Sequence, residues 1–223
     1  MEFVQELAAV GAVLSLLAGT LWVLRRRGFA SIHSRNCTIS NFASLAIPLA
    51  PGMYRLNVVC KDITGGNMTT YPMALNVPHF DEEKLGSSSL ILADLVEKVP
   101  TNSIGSGPFV IGDTKVRPRL NDTFNRNEKL GIYTQFYNFA PDEKTNKPNG
   151  TIQYQITKNG VDKPVLDYVQ EVTSVPGATA QRVTVEQLLD LRSLDPGQYT
   201  LKIKAVDKNR NQELTPTANF TVK

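Results

Sequence analysis

The sequence is poor in the residues that most active-site chemistry needs. It holds two cysteines, two histidines and one tryptophan in 223 residues. Two cysteines cannot build a disulfide-dense scaffold, and no CxxC or His/Cys cluster has the spacing of a zinc site. His33 and His79 adjoin no nucleophile motif and read as solvated loop side chains. G-x-S-x-G, the P-loop, G-x-G-x-x-G and H-E-x-x-H are all missing. A strong charge of one sign is missing too. The chain has 24 Lys and Arg against 21 Asp and Glu, and three of the cations form one run, Arg25-Arg26-Arg27. Without a basic stripe elsewhere, a nucleic-acid binder is excluded. These absences predict a protein that is not an enzyme and uses no metal or cofactor.

The acidic pairs do not change that expectation. Calcium needs oxygen ligands at fixed spacing, as in D-x-[DN]-x-[DN]-G, and neither Asp81-Glu82-Glu83 nor Asp142-Glu143 supplies it. Both read as solvated loop charge. Asn36, Asn67, Asn121, Asn149 and Asn219 begin N-x-[ST] sequons, which read here as turn and strand chemistry rich in Asn and Thr.

What is present begins with one long apolar run. Leu7 to Leu24 is 18 residues without a charge, extended by Phe3 and Val4. At about 1.5 Å per residue this roughly spans a ~30 Å hydrocarbon core. Trp22 suits the headgroup level, and Arg25–Arg27 close the same end. A signal peptide needs a basic start, but residues 1–6 carry two acids and no base. The expectation is a single-pass transmembrane helix, with residues 3–24 in the lipid bilayer. The arginines predict a cytoplasmic remainder.

Beyond residue 33 the helical period gives way to short alternating runs between Gly, Pro, Asn and Asp. Strands are expected at Leu130–Asn138, Thr151–Lys158, Val165–Val175, Gln181–Leu191, Gln198–Asp207 and Thr217–Val222, with another near Phe109–Val116. In Gln198–Asp207 the residues Tyr199, Leu201, Ile203 and Ala205 alternate with Thr200, Lys202 and Lys204, so one face is dry and the other wet. Asn159-Gly160 marks a tight turn, and Asn209-Arg210-Asn211 a second. About seven strands suggest an immunoglobulin-like β-sandwich. Leu90–Val99 alternates imperfectly and is expected as a strand that links two modules.

An internal repeat supports the sandwich. Pro51-Gly52-Met53-Tyr54-Arg55-Leu56 recurs 145 positions later as Pro196-Gly197-Gln198-Tyr199-Thr200-Leu201. With no gap, Val58 then meets Ile203, Cys60 meets Ala205, Asp62 meets Asp207 and Val77 meets Val222. In each copy Pro51-Gly52 or Pro196-Gly197 makes a turn, and Tyr54 or Tyr199 enters the next strand with a hydroxyl free to bond upstream backbone. These six residues are the expected structural tyrosine corners. Because Cys60 matches an alanine, the fold needs no sulfur there, and Cys37 and Cys60 are expected as reduced, partly buried thiols rather than a bridge. The second copy follows about 90 strand-rich residues, whereas the first has only 23 between Arg27 and Pro51. Residues 33–78 therefore suffice only for a partial module with an open edge.

Several stretches carry a resemblance. They are Phe80-Asp81-Glu82-Glu83-Lys84-Leu85, Ser88-Ser89-Leu90-Ile91-Leu92-Ala93-Asp94, the run from Phe109 to Arg119, and Lys129-Leu130-Gly131-Ile132-Tyr133. Together they resemble the C-terminal region of bacterial exported GWxTD-type proteins and of related proteins with a von Willebrand factor A-like domain, over residues 37–223. The GWxTD motif and the A-type metal motif are absent. The resemblance implies a tail of immunoglobulin-like sandwiches without known catalytic residues, on the extracytoplasmic side. Residues 1–32, with LLAGTLWVLRRRG, resemble the membrane anchor of a FliO-type flagellar export protein.

The expected organisation is a transmembrane helix at 1–32, a partial immunoglobulin-like module at 33–78, a link at 79–104 and a complete sandwich at 105–223. The expected function is non-enzymatic: protein–protein interaction through a strand edge or loops, or spacing, in the bacterial cell envelope. Two alternatives accompany it, a subunit of an export apparatus and a reading frame that joins two unrelated pieces. The family resemblance and Arg25–Arg27 assign opposite sides of the membrane to the β region.

Overall fold

A computed structural model of the chain describes residues 47–223. The expected membrane helix, His33, Asn36 and Cys37 lie outside the described residues. Among the described residues no helix is long and apolar enough to cross a membrane. They contain β-strands and three short 3₁₀ turns, and they fall into two compact units, one ending at His79 and the other Phe80–Lys223.

The first unit is a single antiparallel hairpin of β1 (Gly52–Lys61) and β2 (Met68–Val77), paired without interruption from Gly52 opposite Val77 to Lys61 opposite Met68. Its loop closes on Asp62. The Asp62 carboxylate accepts from Thr64 N–H at 2.9 Å and its carbonyl from Gly66 N–H at 2.9 Å, with Gly66 at φ +71°. Alternation places Tyr54, Leu56, Val58, Tyr71, Met73, Leu75 and Val77 on one face. Leu75 and Val77 are buried there, with Ile47, Leu49, Tyr54 and Leu56 packed against them as half-buried neighbours.

The second unit runs through β3 (Gly86–Ser87), β4 (Ile91–Lys98), β5 (Val110–Ile111), β6 (Thr114–Pro118), β7 (Thr123–Phe124), β8 (Lys129–Tyr137), β9 (Gly150–Lys158), β10 (Pro164–Glu171), β11 (Arg182–Asp190), β12 (Gly197–Asp207), β13 (Gln212–Leu214) and β14 (Thr217–Val222). One sheet has the order β10-β9-β12-β14-β7, with β13 also on β12. The other has the order β11-β8-β4-β6-β5, with β3 also on β8. All pairings are antiparallel except β14 with β7.

The two sheets share one hydrophobic core. Ile152, Tyr154, Ile156, Leu201, Ile203, Phe220 and Val222 come from the first, and Leu92, Leu130, Ile132, Phe136, Val183 and Val185 from the second. Gly150 is needed at the rim: an added Cβ would collide with the Val206 carbonyl oxygen and sit 2.8 Å from the Phe139 ring. β8 is buried on both faces from Leu130 to Tyr137, which is why its sequence is apolar or aromatic nearly throughout.

Three segments differ from the sequence reading. The 79–104 stretch supplies β3 and β4, and β4 lies between β6 and β8 in the same sheet rather than linking modules. Its alternation is imperfect because Ile91, Leu92 and Ala93 are all buried. Phe109–Val116 is a hairpin, split by Gly112 at φ +62°. The strand expected to reach Val175 ends at Glu171, where a 3₁₀ turn takes over and buries Val172.

Candidate functional site

The two Pro-Gly-x-Tyr motifs occupy matching places. Gly52 and Gly197 both have φ +153°, a conformation that disfavours a Cβ. Tyr54 donates its hydroxyl to the Ala50 carbonyl at 2.8 Å, and Tyr199 donates to the Asp195 carbonyl at 2.6 Å, each four residues upstream. Gly197 pairs with Val222, Tyr199 with Phe220 and Asp207 with Gln212, a register that reproduces β1–β2 at the same offset. The turns agree as well. Asn209 N–H donates to the Asp207 carboxylate at 3.0 Å, as Thr64 does to Asp62, and Asn211 at φ +52° stands where Gly66 does.

What surrounds them differs. β12 lies between β9 and β14, and β14 is also held by β7. Tyr199 stacks on Phe220 at 5.4 Å between ring centroids, and Phe220 meets Phe124 edge-on at 6.4 Å. Among the described residues β1 and β2 pair only with each other, leaving both outer backbone edges available. Met53, Val59, Ile63 and Met68 are exposed around this hairpin.

A second feature lies within Phe80–Lys223. A cavity of about 380 Å³ opens beside β8 and β11, with Tyr154 and Gln170 of the other sheet and the Val175–Gly177 turn also in its lining. Its floor is set by register: Thr184 and Glu186 lie opposite Gln135 and Tyr133, with Arg182 at the end of the same row. The Gln135 amide donates to the Tyr133 hydroxyl at 2.8 Å, and the Tyr137 hydroxyl donates to Gln135 Oε1 at 2.8 Å. Burial, with nearby negative charge, pushes the Tyr133 hydroxyl far up, and burial does the same to Tyr137. Both remain neutral donors. At one wall Lys98 Nζ reaches Glu186 at 2.8 Å and Asp113 at 3.1 Å. Burial opposes the Lys98 charge, but these two carboxylates outweigh it and hold the ammonium above its ordinary value. Asp113 is likewise opposed by burial and held low by Lys98.

The residues weighed from sequence stand apart from this cavity. His79 is exposed. Asp142 accepts from the Thr145 and Lys144 N–H groups at 2.9 and 3.1 Å, which hold its carboxyl below the ordinary range. Cys60 is a free and exposed thiol rather than a partly buried one, because among the described residues of its own unit β1 has β2 as its one strand partner, whereas the core covers Ala205. Asn121 caps its own turn through Thr123 N–H at 3.2 Å, Asn149 bonds Asn209 at 2.7 Å, and Asn219 accepts from Thr200 at 2.9 Å. Among the described residues no three His, Cys, Asp or Glu side chains gather as metal ligands. The Tyr133–Gln135 floor was missed by sequence reasoning. Its one visible signal was the apolar and aromatic run through β8, which implied that both faces are covered.

No protein-family model and no curated protein matches the chain. Solved structures show a weak likeness. A β-glucosidase from Listeria innocua in complex with glucose is 12% identical with a TM-score of 0.31, over 62% of this chain and 16% of that one. A family 123 glycoside hydrolase from Clostridium perfringens is 11% identical with a TM-score of 0.32, over 63% of this chain and 27% of that one. The chain thus spans under a third of either protein's length, and likeness at this level carries no argument about its activity.

Proposed function

We propose that the protein is a non-enzymatic, membrane-anchored β-sandwich protein of the bacterial cell envelope that binds another protein by strand addition. In this reading β7–β14 form a complete immunoglobulin-like module, with β8, β9, β11, β12 and β14 as its B, C, E, F and G strands. The β1–β2 hairpin is then the F–G pair of a partial one. The observation that carries the reading is the matched register of the two hairpins, one held within a sheet and the other, among the described residues, paired only with itself. A strand beside β1 would stand where β9 stands beside β12, supplying backbone partners and an alternating apolar face.

Cross-linking of the tagged full-length chain in envelope preparations tests this. The expected result is a partner cross-linked within residues 52–77 and lost when residues 33–78 are deleted. A partner that the deletion variant retains contradicts it. The Arg25–Arg27 run favours a second reading, an export-apparatus subunit with a cytoplasmic β region. Alkaline phosphatase fused after Lys223 separates the two, since activity supports the envelope and inactivity the cytoplasm.

A further inference from the structure

We propose that the cavity over β8 and β11 binds a small neutral polyhydroxyl ligand of mono- or disaccharide size. The inference is independent of the hairpin reading. The floor is two facing columns, Arg182-Thr184-Glu186 on one strand and Gln135-Tyr133 on the other. Residues two apart on a strand lie about 6.7 Å apart, so the Arg182 column presents three polar groups over about 13 Å and the Tyr133 column two over about half that length. A hydroxyl-rich molecule both donates and accepts, and so do the phenol, amide and hydroxyl groups at the centre of this floor.

Two observations point to a ligand rather than to internal satisfaction. The Tyr133 hydroxyl accepts from Gln135, yet no side-chain hydrogen bond among the described residues takes its own proton, and Tyr133 is only 1% exposed. A buried donor of that kind gains most from an acceptor placed in the cavity. The Arg182 side chain also lines the cavity with no ion pair or side-chain hydrogen bond among the described residues. The charges at the rim cancel, Lys98 and Arg182 against Asp113 and Glu186, which disfavours a net anion or cation. The volume of about 380 Å³ lies in the range of small-molecule sites.

Calorimetric titration of the purified full-length chain, kept in a detergent without a sugar head group, tests the assignment. The probes are glucose, galactose, maltose and cellobiose, with acetate and glycine as anionic and zwitterionic comparisons. At least one saccharide is expected to bind saturably at millimolar concentration or below. Tyr133→Phe removes only the hydroxyl and is expected to weaken that binding about tenfold; it also takes the acceptor from the buried Gln135 amide and lowers the unfolding midpoint, so affinities are compared well below that midpoint. Should Tyr133→Phe fail to fold, the exposed Arg182→Gln serves in its place with the same expected direction. Binding of acetate or glycine in preference to every saccharide, no binding of any saccharide, or affinity unchanged in the folded variant overturns the proposal.

Discussion

The β1–β2 hairpin and the β12–β14 hairpin are the same local structure in two settings. Each starts from a Pro-Gly turn, anchors a tyrosine hydroxyl on a carbonyl four residues back, and keeps the same offset register. Their interiors are not alike. Leu201 and Ala205 are fully buried, whereas Leu56 is half-buried and Cys60 exposed. The hairpin is therefore specified locally, by turn chemistry and alternation, while burial comes from strands distant in sequence. In β12 those strands are β9, β14 and the facing sheet; β1 has β2 alone among the described residues.

Paired substitutions at matching positions should break or sharpen that contrast. The largest gap is expected at the leucines. Leu201→Ala should cost about 3 kcal/mol in denaturant unfolding, the scale of an emptied core site, and Leu56→Ala about 1 kcal/mol. Equal costs would mean that β1 is enclosed as fully as β12.

The turn aspartates come next. Asp207 is buried and accepts from Ala140 N–H at 2.7 Å as well as from its own turn, so Asp207→Ala leaves a buried amide without an acceptor. A loss of about 2 kcal/mol is expected there. Asp62 is exposed and serves only its own loop, and Asp62→Ala should cost about 0.5 kcal/mol in the same assay. The corner tyrosines should differ less. Tyr199→Phe removes a part-buried bond, worth about 1 kcal/mol, and Tyr54→Phe an exposed one, worth about half that.

The smallest effect is electrostatic and belongs to the corner before β12. The Arg192 side chain and backbone N–H bond Asp190 and hold its carboxyl down to about 2 from 3.8. A carboxyl lowered on folding stabilises the native state above its unfolded value and loses that contribution as pH falls through the folded one. The stability difference between the wild type and Asp190→Asn should thus shrink between about pH 4 and pH 2. Both side chains are largely in solvent, so the change should be small and weaker still in salt.

Much of this contrast was legible in the sequence, and the reasons are physical. Tyr199, Leu201, Ile203 and Ala205 alternate because β12 has one dry face. Thr217–Val222 coincides with β14, and the 145-residue offset places Val77 and Val222 at the same pairing position. The short strands escaped notice. β7 is two residues long and pairs in parallel with β14, so no periodicity could announce it. β4 was recognised as a strand but not as part of the sheet, since partners are a property of topology. The cavity was invisible for the same reason: Lys98, Asp113, Tyr133 and Glu186 come from separate strands and turns, and the β8–β11, β4–β8 and β4–β6 pairings together assemble them.

Hydrogen exchange of the native full-length chain, followed residue by residue, tests the central contrast most directly. Amides of β12 and β14 should exchange only at the rate set by global unfolding, and amides of β1 and β2 markedly faster through local opening. Equal, maximal protection of Leu56 and Leu201 would contradict the account, because it would show the two hairpins to be enclosed alike.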